Sequence, residues 1–341
     1  MINKMLFTFL VLMVAFFYAY FRNKKDNKYK FFAFFLILIL VIFATFREFI
    51  FEDYGTDYFE YKNWFTNMNF SNLNFKYENI GFNLMICIVK SFSRSFYLFL
   101  FVYYLIMYIL IYKFIDDSSD DKLLSIFIFV CLFLISSYNG MRQWMACAFF
   151  CYSLKYVFKH SFIKYAICIF IASTFHITSI ALLLVYPALN LKNKVINQQI
   201  IIIISGIIMY LNSSLIIQFL LDKSSFLGIN YIVKYGNVVG TTSNYTCLII
   251  NIFILIALNI SYFSEGKKEF NQYIKKVIIL TCLSLILCLL STKSFIFNRF
   301  SIYFLTSIMI SLPTAINVFN SKSKPFVKFC ILGLLLFAFI K

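Results

Sequence analysis

Proline and glycine are scarce in this chain, three and nine among 341 residues. That leaves no proline- or glycine-rich linker to set off a second domain, so a single polytopic membrane domain over residues 1–341 is expected. Charge is scarce too, at 13% of residues, against 62% apolar and 21% aromatic, with a mean hydropathy of +0.84. So little polar surface cannot cover a water-soluble globule of this mass. Among soluble proteins, 31 basic and 14 acidic residues would point to nucleic acid; here the excess belongs to loop lysines at the cytoplasmic face of a membrane, and no nucleic-acid partner is expected. The strict polar/apolar alternation of barrel strands is missing as well, which excludes a transmembrane β-barrel. Histidine is limited to His160 and His176, and the nine cysteines form no CxxC pair. No zinc site follows from them, and neither a metal nor a cofactor is expected.

What the chain has in abundance is long apolar runs. Twelve can be read, near 4–21, 31–46, 95–115, 123–137, 141–158, 162–175, 177–190, 199–215, 245–263, 276–291, 296–312 and 327–340. Lipid leaves a backbone no partner but itself, so each reads as a helix. The fold class is therefore all-α, a polytopic integral membrane protein of about 12 transmembrane helices, with a large outer loop near 47–94 and a smaller one near 216–244. Met1 to Tyr20 looks like a signal peptide but lacks a small-residue cleavage site and runs into a basic cluster, so it reads as an uncleaved first span. With the amino terminus outside, the six short inner connections hold 19 of the 31 Lys and Arg residues, which favours that orientation. Ile163 to Ala188 is long for one crossing and short for two, so a return near His176 is expected, with a re-entrant segment. Ile80 to Phe92 is expected to lie along the outer interface.

Six of the 14 acidic residues fall in one outer loop. Glu48, Glu52, Asp53, Asp57, Glu60 and Glu78 face three basic residues, Arg47, Lys62 and Lys76, between residues 47 and 78. In this topology the notable polar residues gather at the outer ends of the spans: Arg47, Asp57, Arg142 with Gln143, His176, Lys293 and Arg299. Carboxylates on one wall and arginines on another suit a substrate with a pyrophosphate beside a neutral, hydroxyl-rich part. Each residue also has a plainer role open to it. The arginines can snorkel to lipid phosphates, His176 can be a core histidine, and Asp57 beside Gly55 can shape an interfacial turn. Asp53, Asp57 and Glu60 have helical spacing that could hold a divalent cation, but further ligands are missing.

Arg47 followed by Gly55-Thr56-Asp57 and Tyr61, then Glu78 with Gly81-Phe82, Arg142-Gln143 with Ala146, Phe175-His176, and Arg299 with Tyr303 resemble the EpsG-like branch of Wzy-type O-antigen and exopolysaccharide polymerases. The resemblance spans nearly the whole chain; Trp144 departs from it where a smaller aliphatic residue is expected. It implies a bacterial plasma (inner) membrane glycosyltransferase, its active site facing the periplasm or cell exterior, that joins polyprenyl-pyrophosphate-linked oligosaccharide repeat units in lipopolysaccharide, capsule or exopolysaccharide synthesis. It also implies a chain-length regulator and a flippase as companions. In that scheme Arg47, Arg142, Gln143, Arg299 and Tyr61 bind the pyrophosphate and sugar, with Arg47 also orienting the acidic loop, and Asp57 or His176 is the base. A lipid-linked oligosaccharide flippase is the alternative of another class, although transporters tend to place charge at mid-membrane and to show related halves. A membrane-bound acyltransferase using His176 is a further one, and it leaves the outer arginines idle.

Overall fold

The computed structural model describes residues 4–50, 57–73, 79–219, 245–264 and 268–340. Glu52, Asp53, Gly55, Thr56, Glu78 and nearly all of the expected outer loop near 216–244 lie outside them. Within them every regular element is helical and no strand occurs. All twelve apolar runs of the sequence fall in helices, as continuous hydrophobic segments must when the backbone has only itself to bond.

By length and composition, four helices among the described residues suffice to cross a membrane: Lys28–Thr45, Phe96–Ser118, Tyr245–Phe263 and Gln272–Ser291. Counting two bent pairs as one span each raises the number to six. Several of the remaining runs form shorter helices, and the expected count of about 12 crossings is not confirmed.

The chain forms two compact units, Met1–Tyr186 with Leu332–Lys341, and Pro187–Ile331. In the first, α1 (Lys4–Asn23) and α2 (Lys28–Thr45) form a hairpin, and the short α3 (Arg47–Ile50) and α4 (Tyr58–Asn67) follow. Next come α5 (Ile80–Phe92), α6 (Phe96–Ser118), α7 (Lys122–Ile128), α8 (Met141–Phe158) and α9 (Phe162–Phe175). The buried face of α2 is Ala33, Leu36, Ile37, Leu40, Val41 and Ala44. That three-and-four spacing lays one stripe against α6, while Phe31, Phe34, Phe35 and Ile42 stay exposed, as a lipid-facing side requires. Helix α8 packs on both α6 and α9 and buries most of its length.

Helix direction sorts the polar residues of this unit to two ends. At one end Arg22 meets Asp116 at 2.9 Å and Lys155 meets Asp117 at 3.2 Å, among the lysines of the α1–α2 and α8–α9 turns. The other end holds the end of α2 and the starts of α4, α5, α6 and α8. The return near His176 is present: α9 stops at Phe175, His176 is extended (φ −149°, ψ 108°), and a 3₁₀ segment, Ile177–Leu184, doubles back along α9. Tyr165 donates its hydroxyl hydrogen bond to the Leu182 carbonyl across this hairpin.

In the second unit α10 (Val185–Asn190) leads to α11 (Val195–Leu211) and α12 (Ser213–Phe219), which meet at a 75° bend. Helices α13 (Tyr245–Ser264) and α14 (Lys268–Ser291) follow, with α14 packed against α11, α13 and α15 (Phe295–Leu305). Between α15 and α16 (Ile308–Ile316) the chain bends by 52°. There Thr306 and Ser307 turn their hydroxyls back onto the carbonyls of Tyr303 and Phe304, each at 2.6 Å, the back-bonding that bends helices. Helix α17 (Lys324–Ile340) ends the described chain.

Candidate functional site

Helix α4 is too polar and too short to span a membrane, and it is fixed at both ends. At its carboxy end Lys90, from α5, donates to the carbonyls of Phe65, Thr66 and Met68 at 3.0, 3.0 and 2.7 Å. A cation on the last carbonyls satisfies groups the helix cannot bond itself and complements its dipole. At its amino end Asp57 Oδ2 accepts from the Gly140 N–H at 3.0 Å, and the Asp57 N–H donates to Asn139 Oδ1 at 3.4 Å. Between these ends Tyr61 and Trp64 lie against Phe82, with ring centroids 5.6 and 5.7 Å apart.

Residues 122–138 form one apolar run that passes from α7 through a π-helical turn at Phe129–Phe133 and a 3₁₀ turn at Ser136–Tyr138. Gly140 then adopts φ 61°, ψ 42° immediately before α8. Glycine tolerates that left-handed conformation at little cost. Its carbonyl accepts the first helical bond, from Trp144, and Tyr103 donates to the Met141 carbonyl. The first turn of α8 is thereby gripped from α4 and α6.

That turn presents Arg142. Its guanidinium carbon lies 4.8 Å from the centre of the Trp64 ring. The side chain is half-buried, and among the described residues it meets no carboxylate. Stacking on an aromatic face orients the planar group without consuming its five N–H donors. Gln143, the next residue, is buried.

Arg47, the first residue of α3, is 0% exposed. It lies 4.9 Å from the ring centre of Tyr58 and 5.4 Å from those of Tyr104 and Tyr138, and Nη1 donates to the Ala44 carbonyl at 2.9 Å. It is a buried cation enclosed by tyrosine rings. Beside it, Glu48 accepts a hydrogen bond from Tyr97. Burial pushes the Glu48 carboxyl up, but hydrogen bonds from Tyr97 and Tyr58 and the charges of Lys62 and Arg47 outweigh it, so the group titrates below its usual range. Burial first, and then the bond to Glu48, push the Tyr58 phenol up.

His176 is 8% exposed, and packing brings it to this same end of the unit. Phe175 stacks on Phe149 of α8 at 5.9 Å. A Cβ added at Gly81, in the first turn of α5, would fall 2.2 Å from Thr174 Oγ1, so α5 starts in close contact with the end of α9. Arg47, Asp57, Tyr61, Arg142, Gln143 and His176 thus share one end of the first unit. Arg299 belongs to the second, on α15, with its guanidinium 4.8 Å from the Phe295 ring centre; there Lys293 lies 4.6 Å from the ring centre of Tyr210. Among the described residues no three of His, Cys, Asp and Glu gather as a metal site.

Trp64, the Asn139–Gly140 turn, and the tyrosines at 104 and 138 are not among the site residues expected from the sequence. An Asn-Gly pair before a helix is a legible turn signal, and Trp64 is one of only two tryptophans. The tyrosines were lost among the 24 in the chain.

No curated protein and no solved structure matches the chain. A match to the EpsG family covers residues 30–341. It runs through every residue placed at this end of the first unit and through Arg299, and the chain belongs to the EpsG family.

Proposed function

We propose that this protein is a polysaccharide polymerase, a membrane glycosyltransferase that joins polyprenyl-pyrophosphate-linked repeat units on the outer face of the plasma membrane. Family membership points to a polysaccharide-polymerase type of membrane protein. The observation that carries the reading further is Arg142: a half-buried guanidinium, stacked on Trp64 and facing no described carboxylate, at the end of the unit where His176 also lies. The concentration of lysines at the opposite end supports the outer placement of this one.

In the reaction, a hydroxyl oxygen of the newly delivered unit attacks the anomeric carbon of the growing chain. The bond from that carbon to the pyrophosphate oxygen breaks, and the electron pair leaves with polyprenyl pyrophosphate. The hydroxyl proton passes to a base, Asp57 or His176. Fixed N–H donors on the leaving pyrophosphate stabilise charge where it develops, the role assigned to Arg142 with Gln143 beside it. Arg47 holds the tyrosine frame, and Tyr61 holds α4. Arg299 is kept as a second candidate for pyrophosphate, on its sequence position, and its own variant tests it.

The test is a gel of surface polysaccharide from cells lacking the gene and complemented with wild type, Arg142→Ala, Arg142→Lys or Arg299→Ala at matched protein levels. The expected result is a ladder with wild type and a core bearing one repeat unit in the deletion strain and with Arg142→Ala. Loss of all surface units, with lipid-linked units accumulating inside, would instead support a flippase. An unchanged ladder in the deletion strain would remove both readings.

A further inference from the structure

Asp57, Tyr61 and Trp64 stand at positions i, i+4 and i+7 and so form one stripe along α4. Asp57 and Trp64 are engaged at the start of α8, and Tyr61 on α5. Asp57 holds the Gly140 N–H at 3.0 Å and donates its own N–H to Asn139. Tyr61 packs on Phe82. Trp64 lies against the Arg142 guanidinium. One end of α4 therefore grips the backbone just before α8, and its second turn lies against a side chain two residues into that helix. The gripped backbone is the left-handed Gly140, the position in this segment with the widest conformational choice.

We propose that Asp57 is a positioning residue and not the base of the reaction: α4 is a clamp that sets the Gly140 turn, and with it the aim of Arg142 toward the pyrophosphate. The inference rests on the polymerase reading and deepens it, leaving His176 to take the proton. A clamp needs an acceptor atom at position 57, which an amide oxygen supplies. A base needs a carboxylate, which an amide does not.

The test uses the full-length protein in lipid nanodiscs, with inorganic pyrophosphate as the probe. Binding is followed by calorimetry and by emission from Trp64, identified by its loss in Trp64→Phe. Turnover is measured with polyprenyl-pyrophosphate-linked repeat units. Asp57→Asn is expected to keep the binding midpoint and the turnover within about threefold of wild type. Asp57→Ala, which loses the acceptor, is expected to weaken pyrophosphate binding about tenfold or more, in line with a lost charge-assisted hydrogen bond. If Asp57→Asn binds pyrophosphate as wild type does but turns over about 100-fold slower or worse, the loss is that of a proton acceptor and the proposal is overturned. Asp57→Ala binding like wild type, or a wild type that binds no pyrophosphate, overturns it too. A wild type that binds pyrophosphate and polymerises nothing refutes the polymerase reading alone, because the midpoints of the two Asp57 variants still decide the clamp.

Discussion

Replacing Arg47 separates a residue that holds the frame from one that touches substrate. Its guanidinium has no exposed surface and lies over three tyrosine rings at 4.9 to 5.4 Å, with one N–H on the Ala44 carbonyl. A desolvated cation–π contact contributes about 0.5–2 kcal/mol, and a hydrogen bond from a charged donor about 1.5–3 kcal/mol. These contacts share one group and do not add in full. Arg47→Met is therefore expected to cost about 3–5 kcal/mol, the scale seen when a buried charged group is removed from its partners. Arg47→Lys keeps the charge but replaces a plane with a point, so it can satisfy fewer of the three rings at once and is expected to cost about 1–2 kcal/mol. The assay is unfolding of the purified protein in mixed micelles by increasing SDS, with polymer formation measured on the same preparations. The reasoning fails if Arg47→Met unfolds within about 0.5 kcal/mol of wild type while polymer formation is lost, because the arginine would then be acting on substrate.

Three further predictions concern the same end of the first unit. Glu48 titrates lower in the folded protein than its ordinary value of about 4.3. Its stabilising contribution is thus full above that value and disappears as pH falls through the lower folded value, so Glu48→Gln should flatten the decline in melting temperature between about pH 5 and pH 3; equal slopes would refute the argument. Gly81→Ala sets a Cβ 2.2 Å from Thr174 Oγ1, 2.9 Å from its Cβ and 3.2 Å from its backbone carbon. Rotating the hydroxyl relieves only the first of these, so a loss of about 1–3 kcal/mol is expected from overpacking, partly recovered in Gly81→Ala with Thr174→Ala, by SDS unfolding. Lys90→Met removes three hydrogen bonds from the end of α4. Faster amide exchange in Tyr61–Met68, with the α6 amides unchanged, is the expected result, and unaltered exchange in α4 would show that the cap contributes nothing.

The class of this protein is legible in its amino-acid sequence, because lipid imposes so narrow a rule. Continuous apolar runs with almost no proline or charge have to be helices, and all twelve runs are helical. The return at His176 is legible for a similar reason: a segment of that length fits neither one crossing nor two. The number of crossings is not. Hydrophobicity marks a run as buried or lipid-facing, but whether it spans depends on helix length, bends and what packs around it; among the described residues four to six segments qualify by length and composition.

The candidate site divides in the same way. Residue type and loop position sufficed to single out Arg47, Asp57, Arg142 and His176, since charge at the end of an apolar span is costly and seldom idle. Their separate circumstances came only from packing. One arginine is caged by tyrosines from three different segments, at 58, 104 and 138, and the other stacks on a tryptophan and meets no described carboxylate. Nothing in the local sequence distinguishes them. Asp57 is 83 residues from the glycine it holds, a pairing that hydrophobic periodicity does not encode. Apolar runs bounded by charge make this a helical membrane protein with its polar residues gathered at the ends of its apolar runs. Which of those residues are enclosed and which are presented was decided by tertiary contacts, because a side chain's exposure is a property of its neighbours in space.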